Sequence, residues 1–140
     1  MTGNVFADTN LLVYGVDDRD PVKRERSLSL QAEVPLVVSA QVLNEFYHVV
    51  TRRLPRPLGA EVAGQMLELY LRWPVVAVDA ALLRRALEAQ ARWRLSWWDT
   101  LVVAAANSAG CTTLYTEDLQ DGARYDAVTV QNPFRAGSPR

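Results

Sequence analysis

The sequence has few of the residues on which several classes of protein depend. Cys111 is the only cysteine among 140 residues, which excludes an internal disulfide and a zinc site built from several cysteines, and favours a reducing compartment. His48 is the only histidine and lies on the polar side of its predicted helix, where we expect it to be solvated rather than catalytic. The formal net charge is −1, so the chain is not a general binder of polyanions.

Long apolar runs are also missing. No window approaches the roughly 20 apolar residues that a membrane-spanning helix needs. The N-terminal segment "MTGNVFADTN" lacks the basic and apolar regions of a signal peptide, so we expect a cytoplasmic protein without a membrane anchor. With 49% apolar and 22% charged residues, the composition is that of an ordinary globular protein, and the length suits one domain.

Apolar strands alternate with helices along the chain. Strands are predicted at residues 4–7, 35–40, 75–78, 111–116 and 127–131, and helices at residues 11–16, 21–33, 40–54, 59–73, 79–95 and 97–109. This alternation predicts an α/β fold of three layers, α/β/α, with a central, mostly parallel sheet of about five strands. We expect a single domain over residues 1–132 and a flexible C-terminal tail over residues 133–140.

Four acids stand where predicted strands end or helices begin. Asp8 follows the first strand and Asp118 lies just past the fourth. Ligands of open α/β sheets bind beyond the carboxyl ends of the strands. Glu45 lies about one turn into the helix after the second strand, at the edge of its apolar stripe and near the buried side. Asp99 is the single charge in the apolar helix at 97–109. The four side chains can therefore face one cleft.

Each of these acids also has a simpler explanation. Asp8 and Asp118 suit helix caps or turns, and Glu45 suits a solvated helix edge. Asp99 suits a capping box with Ser96. Because four independent coincidences are less probable than any one of them, we favour a shared cleft.

A cluster of four carboxylates requires protons or cations. Two bare carboxylates about 4 Å apart repel each other by about 4 kcal/mol at an effective dielectric constant of 20. Oxygen donors without cysteine or paired histidines suit Mg²⁺ or Mn²⁺, which in such sites mostly serve phosphate chemistry. The chain has no Gly-rich phosphate loop, and its only lysine is Lys23, early in the sequence. These absences exclude P-loop nucleotidases, receiver-type domains and haloacid-dehalogenase-type phosphatases, and leave phosphodiester hydrolysis.

Four segments together resemble the PIN-domain ribonucleases, and in particular the VapC-type toxins of bacterial and archaeal toxin–antitoxin pairs. These segments are "VFADTNLLVY", "VVSAQVLNEFYHVV", "LSWWDTLVVAAANSAGC" and "LYTEDL". The resemblance covers residues 4 to 132. It implies a PIN-like fold and a set of acids that hold Mg²⁺ or Mn²⁺, namely Asp8, Glu45, Asp99 and Asp118.

The resemblance also implies roles for the neighbours of these acids. Thr9 and Thr116 match hydroxyl residues that orient the carboxylates or the attacking water, and Asn10 matches a frequent polar position. The fourth acid is the most variable of the family, so Glu117 and Asp121 remain alternatives to Asp118.

The function implied is that of a metal-dependent endoribonuclease whose products carry a 5′-phosphate and a 3′-hydroxyl. A VapC-type toxin is expected to form a homodimer and to be silenced by a cognate VapB-type antitoxin. Two alternatives stay open: a PIN nuclease that processes RNA outside a toxin–antitoxin pair, and a non-catalytic PIN-like module that binds RNA or protein.

Contacts to the RNA substrate are less well defined by the sequence. Arg52, Arg53 and Arg56 follow the helix of Glu45 and suit phosphate binding, but a solvated helix face is the commoner explanation of such a cluster. Four tryptophans are candidates for base stacking, although aromatics at helical spacing more often belong to a core or an interface. They are Trp73, Trp93, Trp97 and Trp98.

Overall fold

Six strands form one sheet in the computed structural model, which describes residues 5–135. The strands are β1 (Val5–Ala7), β2 (Leu36–Ser39), β3 (Val75–Val76), β4 (Thr113–Tyr115), β5 (Arg124–Tyr125) and β6 (Val128–Gln131). The helices are α1 (Thr9–Tyr14), α2 (Pro21–Glu33), α3 (Ala40–Arg52), α4 (Ala60–Tyr70), α5 (Ala80–Trp93) and α6 (Trp97–Ser108). The strand order is β3-β2-β1-β4-β6-β5. All neighbours are parallel except β5 and β6. The predicted α/β class with a mostly parallel sheet is confirmed.

The sheet is buried because helices cover it. Every residue of β1 and β2 is buried, as parallel strands with helices on both faces require. Helix α6 is buried continuously over residues 100–106, which explains why its sequence is apolar on every side. Phe6, Phe46 and Leu114 are among the largest fully buried side chains and bring β1, α3 and β4 into one core.

Side-chain caps fix where five of the helices begin. Each capping oxygen accepts a hydrogen bond from a backbone N–H of the first turn, which satisfies a donor that the helix itself leaves unpaired. The capping residues are Asp8, Asp20, Ser39, Asp79 and Ser96. The predicted caps Asp79 and Ser96 and the predicted first-turn proline Pro21 are confirmed.

Several element boundaries differ from the prediction. The two-residue strand β5 was not predicted, since two residues show no alternation; it pairs antiparallel with β6 around a turn in which Asp126 has φ 55°. Helix α5 ends at Trp93 rather than at residue 95, because Arg94 adopts the left-handed conformation and donates its N–H to the Gln90 carbonyl. Helix α4 ends at residue 70, before the predicted residue 73.

The first residues of the predicted tail contact the domain. Phe134 packs edge-on against Tyr14 with ring centroids 4.8 Å apart, and Arg135 forms an ion pair with Asp121 at 2.7 Å. Residues 133–135 therefore contact the domain, whereas residues 136–140 lie outside the described residues. Within the described part of the chain, no helix has both the length and the apolarity to cross a bilayer.

Candidate active site

The sheet topology brings the ends of β1 and β4 together. The chain after β1 crosses to β2 on one side, whereas β4 lies on the other side of β1, so the crevice between β1 and β4 is a topological switch point. Ala7 pairs with Tyr115, and the Asp8 N–H donates to the Tyr115 carbonyl at 3.0 Å. Asp8 and Thr116 consequently leave the sheet side by side.

Asp8 is the most deeply buried of the four predicted acids, at 6% exposure. Its Oδ1 accepts from the Thr9 N–H at 2.7 Å as the cap of α1, and its Oδ2 accepts from the Thr116 hydroxyl at 2.8 Å. Burial raises the pKa of Asp8 to about 6 against the lowering effect of these two bonds, and the negative charges of Asp118 and Glu45 raise it further. Asp8 therefore caps α1 and also lies close enough to other acids to interact with their charges.

Thr116 connects the first acid to the last. Besides donating to Asp8, its Oγ1 accepts from the Asp118 N–H at 3.1 Å and from Asn10 Nδ2 at 3.2 Å. The same Asn10 nitrogen lies 3.1 Å from Asp118 Oδ2. Burial raises the pKa of Asp118, the Asn10 bond lowers it, and the charges of Asp99, Glu117 and Glu45 raise it. Asn10 and Thr116 thus orient both carboxylates.

Glu45 and Asp99 come from two different helices, α3 and α6, which Gln41 Nε2 joins by donating to the Trp98 carbonyl. Glu45 is exposed, so its expected place near the buried side of α3 is wrong. Asp99 is partly buried in the first turn of α6, and its N–H donates to Ser96 Oγ at 3.1 Å, which is one half of the predicted capping box. Both side chains are close enough to Asp118 for their charges to raise its pKa.

The alternative fourth acids are engaged elsewhere. Glu117 accepts from the Tyr14 hydroxyl and from Lys23 Nζ, the latter at 3.0 Å. Asp121 accepts from the Asn132 N–H at 2.8 Å and pairs with Arg135, and these bonds lower its pKa. Of the three candidates, Asp118 is the one whose carboxylate interacts with the other predicted acids without a cationic partner.

The oxygen atoms of these four carboxylates are of the type that binds divalent cations. In residues 5–135, no Lys or Arg nitrogen pairs with the carboxylates of Asp8, Glu45, Asp99 or Asp118. The charges of Glu45, Asp99 and Asp118 each raise the pKa of another of these acids. All donors are hard oxygens, as Mg²⁺ and Mn²⁺ prefer. No three acidic, histidine or cysteine side chains of the described residues already converge as a finished ligand set.

The family of the chain follows from comparison with known proteins. The model of the PIN domain matches residues 5–126. The chain belongs to the PIN domain family. A search of curated protein sequences gave no match.

Solved structures share the fold of this PIN domain. VapC20 of Mycobacterium tuberculosis, described as a toxin that cleaves the sarcin-ricin loop, is 24% identical over 89% of this chain and 98% of its own, with a TM-score of 0.69. VapBC2 of Rickettsia felis, solved on a promoter DNA fragment, is 17% identical over 91% and 97%, with a TM-score of 0.63. FitAcB of Neisseria gonorrhoeae is 18% identical over 93% and 98%, also with a TM-score of 0.63.

The other predicted contact residues divide into two groups. Arg52, Arg53 and Arg56 are exposed, with Arg56 in an ion pair to Asp18 at 3.4 Å. His48 is exposed as expected. Three of the four tryptophans pack against the core, while Trp98 is 67% exposed. Trp98 therefore does not belong to the core, and an interface or a substrate contact stays open for it.

A cleft beside the acids was not predicted. Gln41 and Asn44 line it together with Glu45 and Trp98. The signal was present in the sequence, because Gln41, Asn44 and Glu45 have the i, i+3, i+4 spacing of one helix face. That face lies opposite the apolar stripe of α3.

Proposed function

We propose that this PIN domain is a divalent-metal-dependent endoribonuclease and the toxin of a VapBC-type pair. The observation that carries the proposal is the group of four carboxylates at the carboxyl edge of the sheet, none of which pairs with a Lys or Arg within residues 5–135. Thr116 and Asn10 orient two of them, Asp8 and Asp118. The VapC and VapBC relatives support the toxin assignment.

Asp8, Glu45, Asp99 and Asp118 would hold Mg²⁺ or Mn²⁺, with Asp8 at the centre of the set. A bound ion would supply charge neutralisation at the phosphate and activation of a water. The Thr116 hydroxyl donates to Asp8 and so keeps its Oδ2 in one orientation, while the Asn10 amide does the same for Asp118. With a pKa of about 6, Asp8 is mostly ionised at neutral pH even before a cation lowers that pKa further.

The proposed partners are an RNA substrate, a VapB-type antitoxin and a second copy of the chain. Large apolar side chains are exposed on α4 and α5, which supports a protein interface. They include Val62 (50% exposed), Leu69 (57%), Leu83 (39%) and Leu87 (66%). Sedimentation of the purified chain tests the homodimer.

The decisive experiment is RNA cleavage by the purified chain, free of antitoxin, with Mg²⁺ or Mn²⁺ and with EDTA. We expect 5′-phosphate ends that disappear with EDTA and with Asp99→Asn, but persist with Asp126→Asn, whose carboxylate lies in an exposed ion pair with Arg92. Cleavage that survives both EDTA and Asp99→Asn would contradict the mechanism. Metal-dependent binding without cleavage would favour a non-catalytic module.

A further inference from the structure

An open cleft of about 670 Å³ lies between α3 and the start of α6. Its volume falls within the range of sites that bind small molecules. The lining residues are Ala40, Gln41, Asn44, Glu45, Val78, Trp98 and Leu101. Glu45 belongs both to the cleft and to the four acids, so the cleft adjoins the position where a scissile phosphate would lie.

One wall of the cleft is flat and apolar. Trp98, the second residue of α6, is 67% exposed, and Val78 and Leu101 line the cleft beside it. The Trp98 carbonyl accepts from Gln41 Nε2 at 3.2 Å, which ties the start of α6 to α3 across the cleft. The backbone of Trp98 is therefore held while its ring faces solvent.

The opposite wall presents amides. Gln41 has its orientation fixed by the bond to the Trp98 carbonyl, because a flipped amide would place two acceptors together. Its Oε1 is left buried without a hydrogen-bond partner. Asn44, one turn further along α3, is exposed and offers both a donor and an acceptor.

We propose that this cleft binds one unstacked base of single-stranded RNA next to the bond that is cut. Trp98 provides the stacking surface and Asn44 reads the edge of the base. Aromatic stacking combined with hydrogen bonds to the base edge is how proteins recognise single-stranded RNA. The inference rests on the proposed ribonuclease function and adds a determinant of its substrate.

A base suits the cleft better than a protein segment does. Three polar side chains in the lining, Gln41, Asn44 and Glu45, would be poorly satisfied by a purely apolar segment. A neutral heterocycle has an apolar face for Trp98 and polar edges for the amides. Its ribose and phosphate would continue toward the acids through the side that Glu45 shares.

The test uses an oligoribonucleotide that the wild-type chain cleaves, and copies of it that lack one base at each position near the cut. We expect one missing base to lower kcat/KM of the wild type by about 5- to 150-fold, the range that corresponds to stacking of one base. Trp98→Ala should lower kcat/KM on the intact oligonucleotide by a similar factor. On the copy that lacks that base, Trp98→Ala and the wild type should have nearly the same kcat/KM. Trp98→Phe should retain most of the activity.

Leu28→Ala is the matched control, since Leu28 is an apolar side chain of α2 that is 44% exposed outside the cleft. Leu28→Ala should leave kcat/KM unchanged on both the intact and the abasic oligonucleotide. Unchanged Mn²⁺ affinity and unchanged Tm for Trp98→Ala would separate a substrate contact from damage to Asp99 or to the fold. Asn44→Ala should change which base is preferred at the same position.

The outcomes distinguish the cleft from the function on which it rests. Equal losses for Trp98→Ala on intact and abasic RNA, or no loss at all, would overturn the base site while leaving the nuclease intact. A change in sedimentation with unchanged cleavage would assign the cleft to a contact between copies and overturn it as well. If the wild type cleaves no RNA, the proposed function fails. Binding of single-stranded oligoribonucleotides of mixed sequence by the wild type and by Trp98→Ala then decides whether a Trp98-dependent base site exists: weaker binding by the variant supports the site, and equal binding overturns it.

Discussion

The acids of this chain form two groups that differ in their partners. Asp17, Asp121 and Asp126 accept hydrogen bonds from Arg19, Arg135 and Arg92, respectively. The pKa of each carboxyl is lowered, by the arginine bond for Asp17 and Asp126, and by the Asn132 N–H and then the arginine bond for Asp121. At the carboxyl edge of the sheet the pKa values of Asp8 and Asp118 are raised by burial and by neighbouring acids.

Basic side chains of this chain pair with acids elsewhere in the fold, but not with the four acids at the carboxyl edge of the sheet. Fourteen arginines and Lys23 are distributed over the sequence. Lys23 lies close enough to pair with Glu117, the residue next to Asp118. Within residues 5–135, hydroxyl, backbone and amide donors orient the carboxylates of Asp8 and Asp118, and no Lys or Arg pairs with any of the four acids of the edge. The proposed divalent cation would supply the positive charge that no side chain supplies at this edge.

The largest expected effect separates Asp118 from its neighbours. Asp118→Asn should reduce metal-dependent cleavage by more than about a hundredfold, since loss of residues that only support the ligands already costs 10- to 100-fold. Asp121→Asn should leave cleavage nearly unchanged, because Asp121 is bound to Arg135 and the Asn132 N–H. Initial rates at saturating Mg²⁺ measure both. Reversed effects of the two substitutions would assign the fourth acid to Asp121.

The next effect concerns the hydroxyl that links the two strands. Thr116→Val keeps the shape of the buried side chain but removes the donor to Asp8 Oδ2 and the acceptor for Asn10. We expect a loss of about 10- to 100-fold in metal affinity or activity. Thr129→Val on the exposed face of β6 is the control. Metal titration of both variants gives the answer, and equal affinities would remove Thr116 from the site.

A third effect appears in stability without metal. Because the pKa of Asp8 is raised to about 6 in the native state, ionisation of Asp8 lowers the free energy of unfolding. This loss of stability is absent at a pH below the unfolded pKa of Asp8. It grows as the pH rises and is complete above about pH 6. Asp8→Asn removes this loss of stability. The free energy of unfolding in EDTA should therefore rise by up to about 3 kcal/mol at neutral pH, and by much less near pH 4. Denaturant titrations at both pH values test this, and a gain that does not depend on pH would refute it.

The smallest effect belongs to the paired acids. The pKa of Asp126 is lowered by Arg92, so its contribution to stability is present above its unfolded pKa and is lost as the pH falls. Because the pair is exposed, Asp126→Asn should lower Tm by less than about 4 °C, and added salt should shrink the difference. Thermal scans at low and high salt measure it. A decrease in Tm as large as that expected for a buried ion pair would contradict the contrast between the paired acids and the acids of the sheet edge.

Much of the fold could be predicted because strong local signals agreed with the tertiary structure. Pro21 and Ser96 mark helix starts that the structure retains, and the apolar helix around Val103 is buried as its composition indicates. The end of α5 could not be predicted, since a left-handed Arg94 has no sequence signature comparable to glycine. Strand β5 exists only through its pairing with β6.

The site was predictable in position but not in detail. The strand-end rule and the family resemblance pointed to Asp8 and Asp118, whereas periodicity alone placed Glu45 too close to the buried side. Trp98 could not be separated from the other tryptophans by spacing, because its exposure depends on how the start of α6 meets α3. Contacts between distant segments, such as Asn10 with Asp118, required the structure.

The most direct test of the central claim is calorimetric titration of Mn²⁺ into the wild type, Asp8→Asn and Asp126→Asn in the absence of RNA. If the acids of the sheet edge form the metal centre, the wild type and Asp126→Asn bind Mn²⁺ alike and Asp8→Asn binds at least tenfold more weakly. Equal binding by all three proteins, or no binding by the wild type, would contradict the account.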